Sequence, residues 1–175
     1  MRKILIVLVA VLFLAPAALF ALDQAKVDAR REVIAGWGKD PELVAAVKAL
    51  NAAPPAEGQG MTQTDWEKLM IVDPRIKGLQ ANKVGAFLKN KKEGWVAEAF
   101  VSLADGTKAG FITKTSGWSH KGKAKHDKPM AGETWQGEIE LDKSTGKEQL
   151  QVAVPVMDGG TAIGSLVVGI DLSRL

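Results

Sequence analysis

The sequence predicts an α+β fold, in which N-terminal helices pack on one face of a five-stranded antiparallel sheet. Apolar residues recur with the 3.6-residue period of amphipathic helices over residues 22–93, and the pattern changes to the alternation of strands over residues 94–175. Helices that precede an unbroken run of strands indicate an α+β domain, because parallel α/β folds alternate the two kinds of element. We therefore expect one domain, helical over 22–93 and sheet-forming over 94–175.

The first residues indicate export. Arg2 and Lys3 precede the uncharged, apolar stretch 4–22. Ala15-Pro16-Ala17 offers a cleavage site of small residues, and Leu19-Phe20-Ala21 offers a later one. We expect 1–21 to be a cleaved signal peptide, which places the protein in the periplasm or outside the cell. An uncleaved anchor stays open as the alternative, because the 19 residues of 4–22 approach the roughly 20 that span a bilayer.

The composition excludes several functions. The chain has no cysteine, which rules out disulfides, cysteine-linked lipid and haem attached through a cysteine pair. The net charge of +3 includes Arg2 and Lys3, so the basic pI does not indicate nucleic-acid binding once they are removed. The sequence also lacks a nucleophile elbow, a zinc-protease motif and a phosphate loop. We expect neither an enzyme nor a cofactor.

Four helices are predicted, over residues 23–35, 40–51, 64–70 and 74–92. Gly36-Trp37-Gly38 is expected to end the first helix, because glycine disfavours helix interiors. Asp40-Pro41 supplies an N-cap acid followed by proline at the first helical position. Thr64 and Glu67 have the capping-box spacing that would open the short third helix.

Five strands are predicted, over residues 95–103, 107–113, 134–141, 148–156 and 163–172. Asp105-Gly106 and Asp158-Gly159-Gly160 are tight-turn sequences between neighbouring strands. Residues 114–132, called the 114–132 loop below, interrupt this rhythm. Pro155 has no N–H to donate, so we expect it near its strand's end or at an unpaired position.

The last two strands carry a hairpin motif. Val154-Pro155-Val156-Met157-Asp158-Gly159-Gly160 is followed by Ile163-Gly164 and by Val168-Gly169-Ile170-Asp171-Leu172. With Lys114-Thr115-Ser116 after the second strand and Trp135 on the third, this ending resembles the Cache (PDC-type) extracytoplasmic sensor domains of bacterial chemoreceptors and sensor kinases. The resemblance covers most of the chain after residue 21.

The resemblance implies a PAS-like sheet of order 2-1-5-4-3, with helices on one face and a small-molecule pocket on the other. Members usually lie between two membrane helices, whereas this sequence stops after its last strand, so we expect signalling to require a membrane receptor or kinase partner. The chain has no tyrosine. The aromatic-arginine signature of amino-acid-binding members is therefore absent, which makes amino acids a less favoured ligand class.

The 114–132 loop concentrates lysine, both histidines of the chain and one tryptophan. A pocket closed by this loop would have a positive field, which favours an anion such as a carboxylate. The expected ligand-binding residues are Lys114, Thr115, Ser116, Trp118, His120, Lys125 and Trp135. Two alternatives stay open: the lysines form a solvated face, and His120 and His126 are surface residues. No metal site is expected, since His120 and His126 lack further ligands at suitable spacing.

The leading hypothesis is an exported sensory domain that binds a small anionic metabolite, alone or with a membrane signalling partner. The alternative is a protein-interaction or dimerisation module whose pocket is filled by its own side chains. In that case the amphipathic N-terminal helix would form a homodimer.

Overall fold

The computed structural model describes residues 24–142 and 147–175. The helices are α1 (Gln24–Gly38), α2 (Pro41–Ala52), α3 (Gln63–Lys68), α4 (Pro74–Ala81), α5 (Lys83–Lys91) and α6 (Ala124–Met130). The strands are β1 (Val96–Leu103), β2 (Lys108–Phe111), β3 (Trp135–Asp142), β4 (Lys147–Asp158) and β5 (Thr161–Asp171). The predicted signal peptide, residues 1–21, lies outside the described residues. Within them, no helix is both long and apolar enough to span a bilayer.

All strand pairs are antiparallel, and the strand order is β2-β1-β5-β4-β3. This confirms the predicted fold class and strand order. One face of the sheet packs against α1, α2 and α5 through a large apolar cluster that includes Val152, Leu166 and Val168. The opposite face packs against α3 and α4 through a smaller cluster that includes Phe100 and Val167. Helix α6, within the 114–132 loop, also contacts β3, β4 and β5.

Helix α1 does not end before Gly36, as the glycines suggested, but continues through Trp37 to Gly38. Trp37 stacks on Trp95 with ring centroids 5.7 Å apart, and such a pair contributes about 0.5–1.5 kcal/mol beyond its buried area. This contact offsets part of the roughly 1 kcal/mol that each glycine costs in a helix.

Two helix-start predictions were also wrong in detail. The capping box of α3 is formed by Thr62 and Asp65, not by Thr64 and Glu67. The long helix expected over 74–92 is divided at Asn82, whose side chain accepts from Gly85 N–H at 2.9 Å and caps α5. The Asn82 amide also donates to Ala109 O of β2 at 2.7 Å, so the break is held by the sheet.

The edge strand β3 departs most from the simple alternation. Its register against β4 shifts between Gln136 and Ile139, and the side chains of Ile139 and Leu141 are 47% and 62% exposed. The β3–β4 pairing ends at Ala153, two residues before Pro155. Pro155 therefore has no β3 partner, as its missing N–H required.

We predict that Gly38→Ala destabilises the protein by about 1–3 kcal/mol, as overpacking does in a tight contact. A Cβ at Gly38 would lie 2.4 Å from Pro155 O, a backbone atom that cannot move aside easily. Gly36→Ala is the matched control in the same helix, because a Cβ there meets nothing within 4 Å. It should stabilise by up to about 1 kcal/mol. Urea denaturation measures both, and equal effects would contradict the prediction.

Candidate functional site

The sheet face beneath the 114–132 loop carries several polar side chains, and the sequence pattern did not indicate that some of them would be buried. Successive side chains of a strand point to opposite faces, so each strand buries apolar residues under the helices and presents its alternate residues to the loop. Among those alternate residues are Glu98, Ser102, Lys108, Gln149, Gln151 and Ser165. Lys108 and Ser165 are fully buried, and each is a cross-strand partner of Ser102, Lys108 on β2 and Ser165 on β5.

A cavity of about 540 Å³ lies between this polar face and the loop. Its wall includes five of the predicted site residues, namely Lys114, Thr115, Ser116, His120 and Lys125. The sheet side of the wall is formed by residues that the sequence analysis missed, namely Glu98, Phe100, Glu140, Gln149 and Gln151. The cavity wall therefore carries both signs of charge, whereas the loop residues alone predicted a positive field.

A second cavity of about 630 Å³ adjoins the first, and the two share Ser116, His120 and Lys125 in their walls. Trp118 borders only this second cavity. Trp135 lies in neither wall; it is half-buried, and its ring centroid is 6.0 Å from Lys125 Nζ. Of the predicted residues, the structure thus brings together all but Trp135.

Helix α3 holds the start of the 114–132 loop in place. Trp66 Nε1–H donates to Thr115 O at 2.7 Å, and Gln63 Nε2–H donates to Ser116 O at 2.9 Å. Trp118 N–H in turn donates to Gln63 Oε1 at 2.8 Å. These bonds fix the loop backbone, which orients the Thr115 and Ser116 side chains relative to the sheet.

Trp118 packs the loop down onto the helices. Its side chain is only 6% exposed, and its ring centroid lies 5.2 Å from that of Trp66. Gly58 leaves room for it, since a Cβ there would come within 2.5 Å of the ring. Trp118 therefore closes the side of the second cavity rather than standing free to cover a ligand.

A chain of polar contacts crosses the floor of the first cavity. The Lys125 ammonium donates to Gln151 Oε1, and Gln151 Nε2–H donates to Glu98 Oε1. Gln149 Nε2–H approaches the same Glu98 oxygen at 3.4 Å. Gln149 is buried, and its Oε1 has no hydrogen-bond partner among the described residues. The floor thus offers the Glu98 carboxylate as an acceptor, whereas Gln149 Oε1 is buried against the sheet.

The interpretation of the histidines as surface residues was wrong, because both are buried. His126 Nδ1 lies 2.8 Å from Ser165 Oγ, and His120 stacks on Phe100 with ring centroids 4.8 Å apart. Burial, followed by the proximity of the Lys108 and Lys125 amines, lowers the pKa of His120 to about 3. Burial also lowers the pKa of His126. Both imidazoles are therefore neutral at pH 7.

Lys108 is the most unusual group of the site. Its side chain is fully buried, its amine lies within hydrogen-bond distance of His120 Nδ1, and Nζ is 3.9 Å from the Phe100 ring centroid. Burial, followed by repulsion from Lys125, lowers the pKa of Lys108 well below its usual value. When Lys108 donates to Nδ1, the neutral His120 ring carries its own proton on Nε2, which makes Nε2–H a donor.

Solved structures of similar fold are sensor domains. The V. cholerae histidine kinase DctB sensor domain aligns over 87% of this chain and 51% of its own, at 18% identity and a TM-score of 0.51. The ligand-binding domain of the Pseudomonas aeruginosa PAO1 amino-acid chemoreceptor PctC, solved with GABA, aligns over 86% of this chain and 56% of its own, at 16% identity and a TM-score of 0.47. The ligand-binding domain of the Campylobacter jejuni chemoreceptor Tlp3, solved with 4-methylisoleucine, aligns over 90% of this chain and 63% of its own, at 14% identity and a TM-score of 0.42.

The likeness to the DctB sensor domain confirms the fold that the Cache resemblance implied. The chain spans about half the length of that domain. No family model matches the chain, and no curated protein matches it.

Proposed function

We propose that this protein is an exported sensory domain that binds a small carboxylate-bearing molecule in the cavity beneath the 114–132 loop. The observation that carries the proposal is the meeting of the loop's polar side chains with a polar sheet face around about 540 Å³ of space. Such a volume is within the range of small-molecule sites, and convergent polar groups supply orientation. The shared fold with the DctB sensor domain supports a sensory role.

The charges of the wall suggest how a ligand would be oriented. Lys114 and Lys125 line the loop side, and His120 Nε2–H adds a neutral donor, so a carboxylate would lie there. Glu98 lies on the sheet side, where its carboxylate would accept from a hydroxyl or ammonium group of the same ligand. A small hydroxy acid or a zwitterion satisfies both sides.

The output would pass to a membrane receptor or kinase, a context supported by the similar fold of the histidine kinase DctB sensor domain. Helix α1 would carry the signal, because two of its residues contact Trp95, which directly precedes β1. Trp37 stacks on the Trp95 ring, and the Arg30 guanidinium lies 4.8 Å from the centroid of the same ring. A movement of the sheet on ligand binding would therefore displace α1 through these contacts. Residues 4–22 would precede this helix as a tether if the signal is not cleaved.

A homodimer through α1 is a second proposal. Val33, an apolar residue of α1, is 39% exposed, whereas Val27 and Ile34 are fully buried in the fold. Light scattering of Val33→Glu tests it. A dimer in the wild type that becomes a monomer in the variant supports the proposal, and a wild type that is already monomeric contradicts it.

A thermal-shift panel of acetate, lactate, pyruvate, succinate and serine tests ligand binding. A compound present at about 100 times its Kd stabilises by about 2.7 kcal/mol, which raises Tm by several degrees in a domain of this size. The panel is extended with dicarboxylates that carry an amine and dicarboxylates that do not. If none of these compounds raises Tm, the result counts against the proposal.

We predict that Lys125→Met weakens the binding of the best compound in that panel by about tenfold or more. The loss of one partner of a charge-assisted contact in a partly buried site costs at least about 1.4 kcal/mol. Lys121→Met is the matched control, since Lys121 is an exposed lysine of the same loop outside both walls. Isothermal titration measures both variants, and equal Kd values would show that Lys125 does not contact the ligand.

A further inference from the structure

The two edges of the sheet are completed differently. The edge strand β2 is short and buried, and helices α4 and α5 pack against it. Two amide side chains bond to carbonyl groups at this edge. Asn82 Nδ2–H donates to Ala109 O at 2.7 Å, and Gln80 Nε2–H donates to Ile112 O, just after the strand, at 2.7 Å. The β2 edge is therefore covered and leaves no place for a further strand.

The opposite edge strand, β3, has no such cover over its second half. Within the described residues β3 pairs with β4 and with no other strand. Helix α6 contacts β3, and residues 135–137 are half-buried, but Glu138, Ile139, Glu140 and Leu141 are all exposed. No side chain of the described part of the chain bonds to the backbone of these four residues. We call them the 138–141 edge.

The 138–141 edge is a regular strand with an open side. An edge strand presents a row of unpaired N–H and C=O groups, and proteins usually protect such a row with lysine, proline, a bulge or a covering element. Strand β3 contains neither lysine nor proline. Its register shift against β4 lies before this segment, and the register is unbroken from Ile139 to Asp142. The backbone is thus extended and ready to pair with another strand.

The side chains of the 138–141 edge have a definite pattern. Glu138 and Glu140 share one face of the strand, and Ile139 and Leu141 share the other, because successive side chains alternate. Neither carboxylate has a hydrogen bond or an ion pair within the part of the chain that the structure describes. A strand laid beside this edge would meet two unpaired negative charges on one face and two uncovered apolar side chains on the other.

This pattern disfavours a second copy of β3 as the added strand. In an antiparallel pair of two β3 strands centred on Ile139, Glu138 of each copy lies directly opposite Glu140 of the other. Centring the pair on Glu140 sets two copies of that residue against each other, and a register between these two sets isoleucine opposite glutamate. Like charges directly opposite one another destabilise a strand pair, whereas opposite charges stabilise it. The complementary strand is therefore basic where β3 is acidic.

We propose that the 138–141 edge binds an extended segment of a partner protein that alternates lysine or arginine with apolar residues, as a sixth strand of the sheet. The basic side chains of that segment pair with Glu138 and Glu140, and its apolar side chains cover Ile139 and Leu141. In this mode of recognition main-chain hydrogen bonds supply the affinity and alternate side chains supply the specificity. Glu140 also borders the cavity beneath the 114–132 loop, so the added strand lies beside any bound ligand.

Fluorescence anisotropy with a labelled heptapeptide of alternating lysine and valine tests the proposal on the purified protein. Two comparison peptides are used, one with glutamate in place of lysine and one with every backbone nitrogen methylated. We expect the first peptide to bind at least about tenfold more tightly than either, because only it offers both the charges and the backbone donors. Hydrogen exchange should show that its binding protects amides of residues 138–141.

A charge reversal at the edge provides the matched variant. Glu138→Lys should weaken binding of the lysine–valine peptide by about fivefold, since a cross-strand attraction becomes a repulsion. Glu42→Lys, which reverses an exposed acid of α2, should leave the Kd unchanged. Both positions are exposed, so neither variant should disturb folding, and the wild-type measurements stand without them.

Three results would overturn the proposal. The first is that the lysine–valine peptide does not bind, and the second is that the methylated peptide binds equally well, which would indicate charge attraction without strand pairing. The third is that residues 138–141 are already protected in the protein alone and lose protection on dilution, which would assign the edge to a second copy. The peptide experiments contain no carboxylate ligand, so their failure leaves the proposed ligand site unaffected.

Discussion

Lys108→Met should be more stable than the wild type at pH 7, and its advantage should shrink steadily as the pH is raised. The pKa of Lys108 is lowered in the folded state, mainly by burial, whereas the unfolded chain has the ordinary value of about 10.4. Between the two values the unfolded chain binds more protons, so the free energy of unfolding rises by about 1.4 kcal/mol per pH unit. The penalty that Lys108 imposes on folding is therefore absent above about pH 10.4 and grows as the pH falls.

Methionine removes this proton linkage because it fills a similar volume without a charge. The variant loses the Lys108–His120 contact, which is worth about 1 kcal/mol, and we expect this loss to be outweighed because the pKa of Lys108 is lowered well below its usual value in the folded state. The lowered pKa values of His120 and His126 act only below their ordinary value of 6.5, so they do not enter the window from pH 7 to 10. The charges that Lys108 responds to are Lys125, which opposes protonation, and Glu98, which favours it.

Urea denaturation at pH 7, 8, 9 and 10 measures the difference. The curves of wild type and Lys108→Met should converge toward pH 10, while the exposed control Lys121→Met should run parallel to the wild type. Parallel curves for all three proteins, or a Met variant that is less stable at pH 7, would show that Lys108 keeps its proton in the folded state. A residue that lowers stability at physiological pH is typical of sites retained for function.

Trp66→Ala is expected to destabilise the protein by about 3–5 kcal/mol, the usual cost of emptying a large buried aromatic site. Trp66 is fully buried at the centre of the smaller cluster, edge-on to Phe111 at 5.6 Å and beside Trp118 at 5.2 Å. Its Nε1–H also holds Thr115 O. The substitution should therefore loosen the 114–132 loop and weaken ligand binding as well.

Trp66→Phe separates the two contributions, because it keeps an aromatic ring but loses the hydrogen bond to the loop. We expect a smaller loss of stability than for alanine, with the loop amides of Thr115 and Ser116 exchanging faster with solvent. Met70→Ala is the surface control, since Met70 is 70% exposed and such changes stay within about 0.5 kcal/mol. An alanine variant at Trp66 that loses less than about 1 kcal/mol would contradict the packing seen here.

The site was predictable on the loop side and not on the sheet side. Lys114, Thr115 and Ser116 follow directly from their position after β2, because residues at a strand end converge on that end. Gln149 and Gln151 alternate with buried Leu150 and Val152, a pattern that indicates a solvated outer face. The alternation was correct, but α6 and the loop cover that face, so the glutamines line a cavity instead.

Burial of the histidines and of Lys108 could not be inferred from local sequence. His120 is buried by Phe100 of β1, and His126 by Ser165 of β5, contacts between residues far apart in the chain. Composition alone favours surface positions for lysine. In contrast, the helix break at Asn82 had a local signal, the N-cap side chain, that the continuous apolar pattern outweighed in the prediction.

By itself the sequence determined the order of the elements, the strand faces under the helices and the position of the polar loop. These follow from periodicity and turn chemistry, which act over a few neighbouring residues. Only the tertiary structure decided what forms the opposite wall of the cavity. Glu98, Lys108 and Gln149 come from three strands, and the hydrogen-bond register that brings them to one face depends on pairings across the whole sheet.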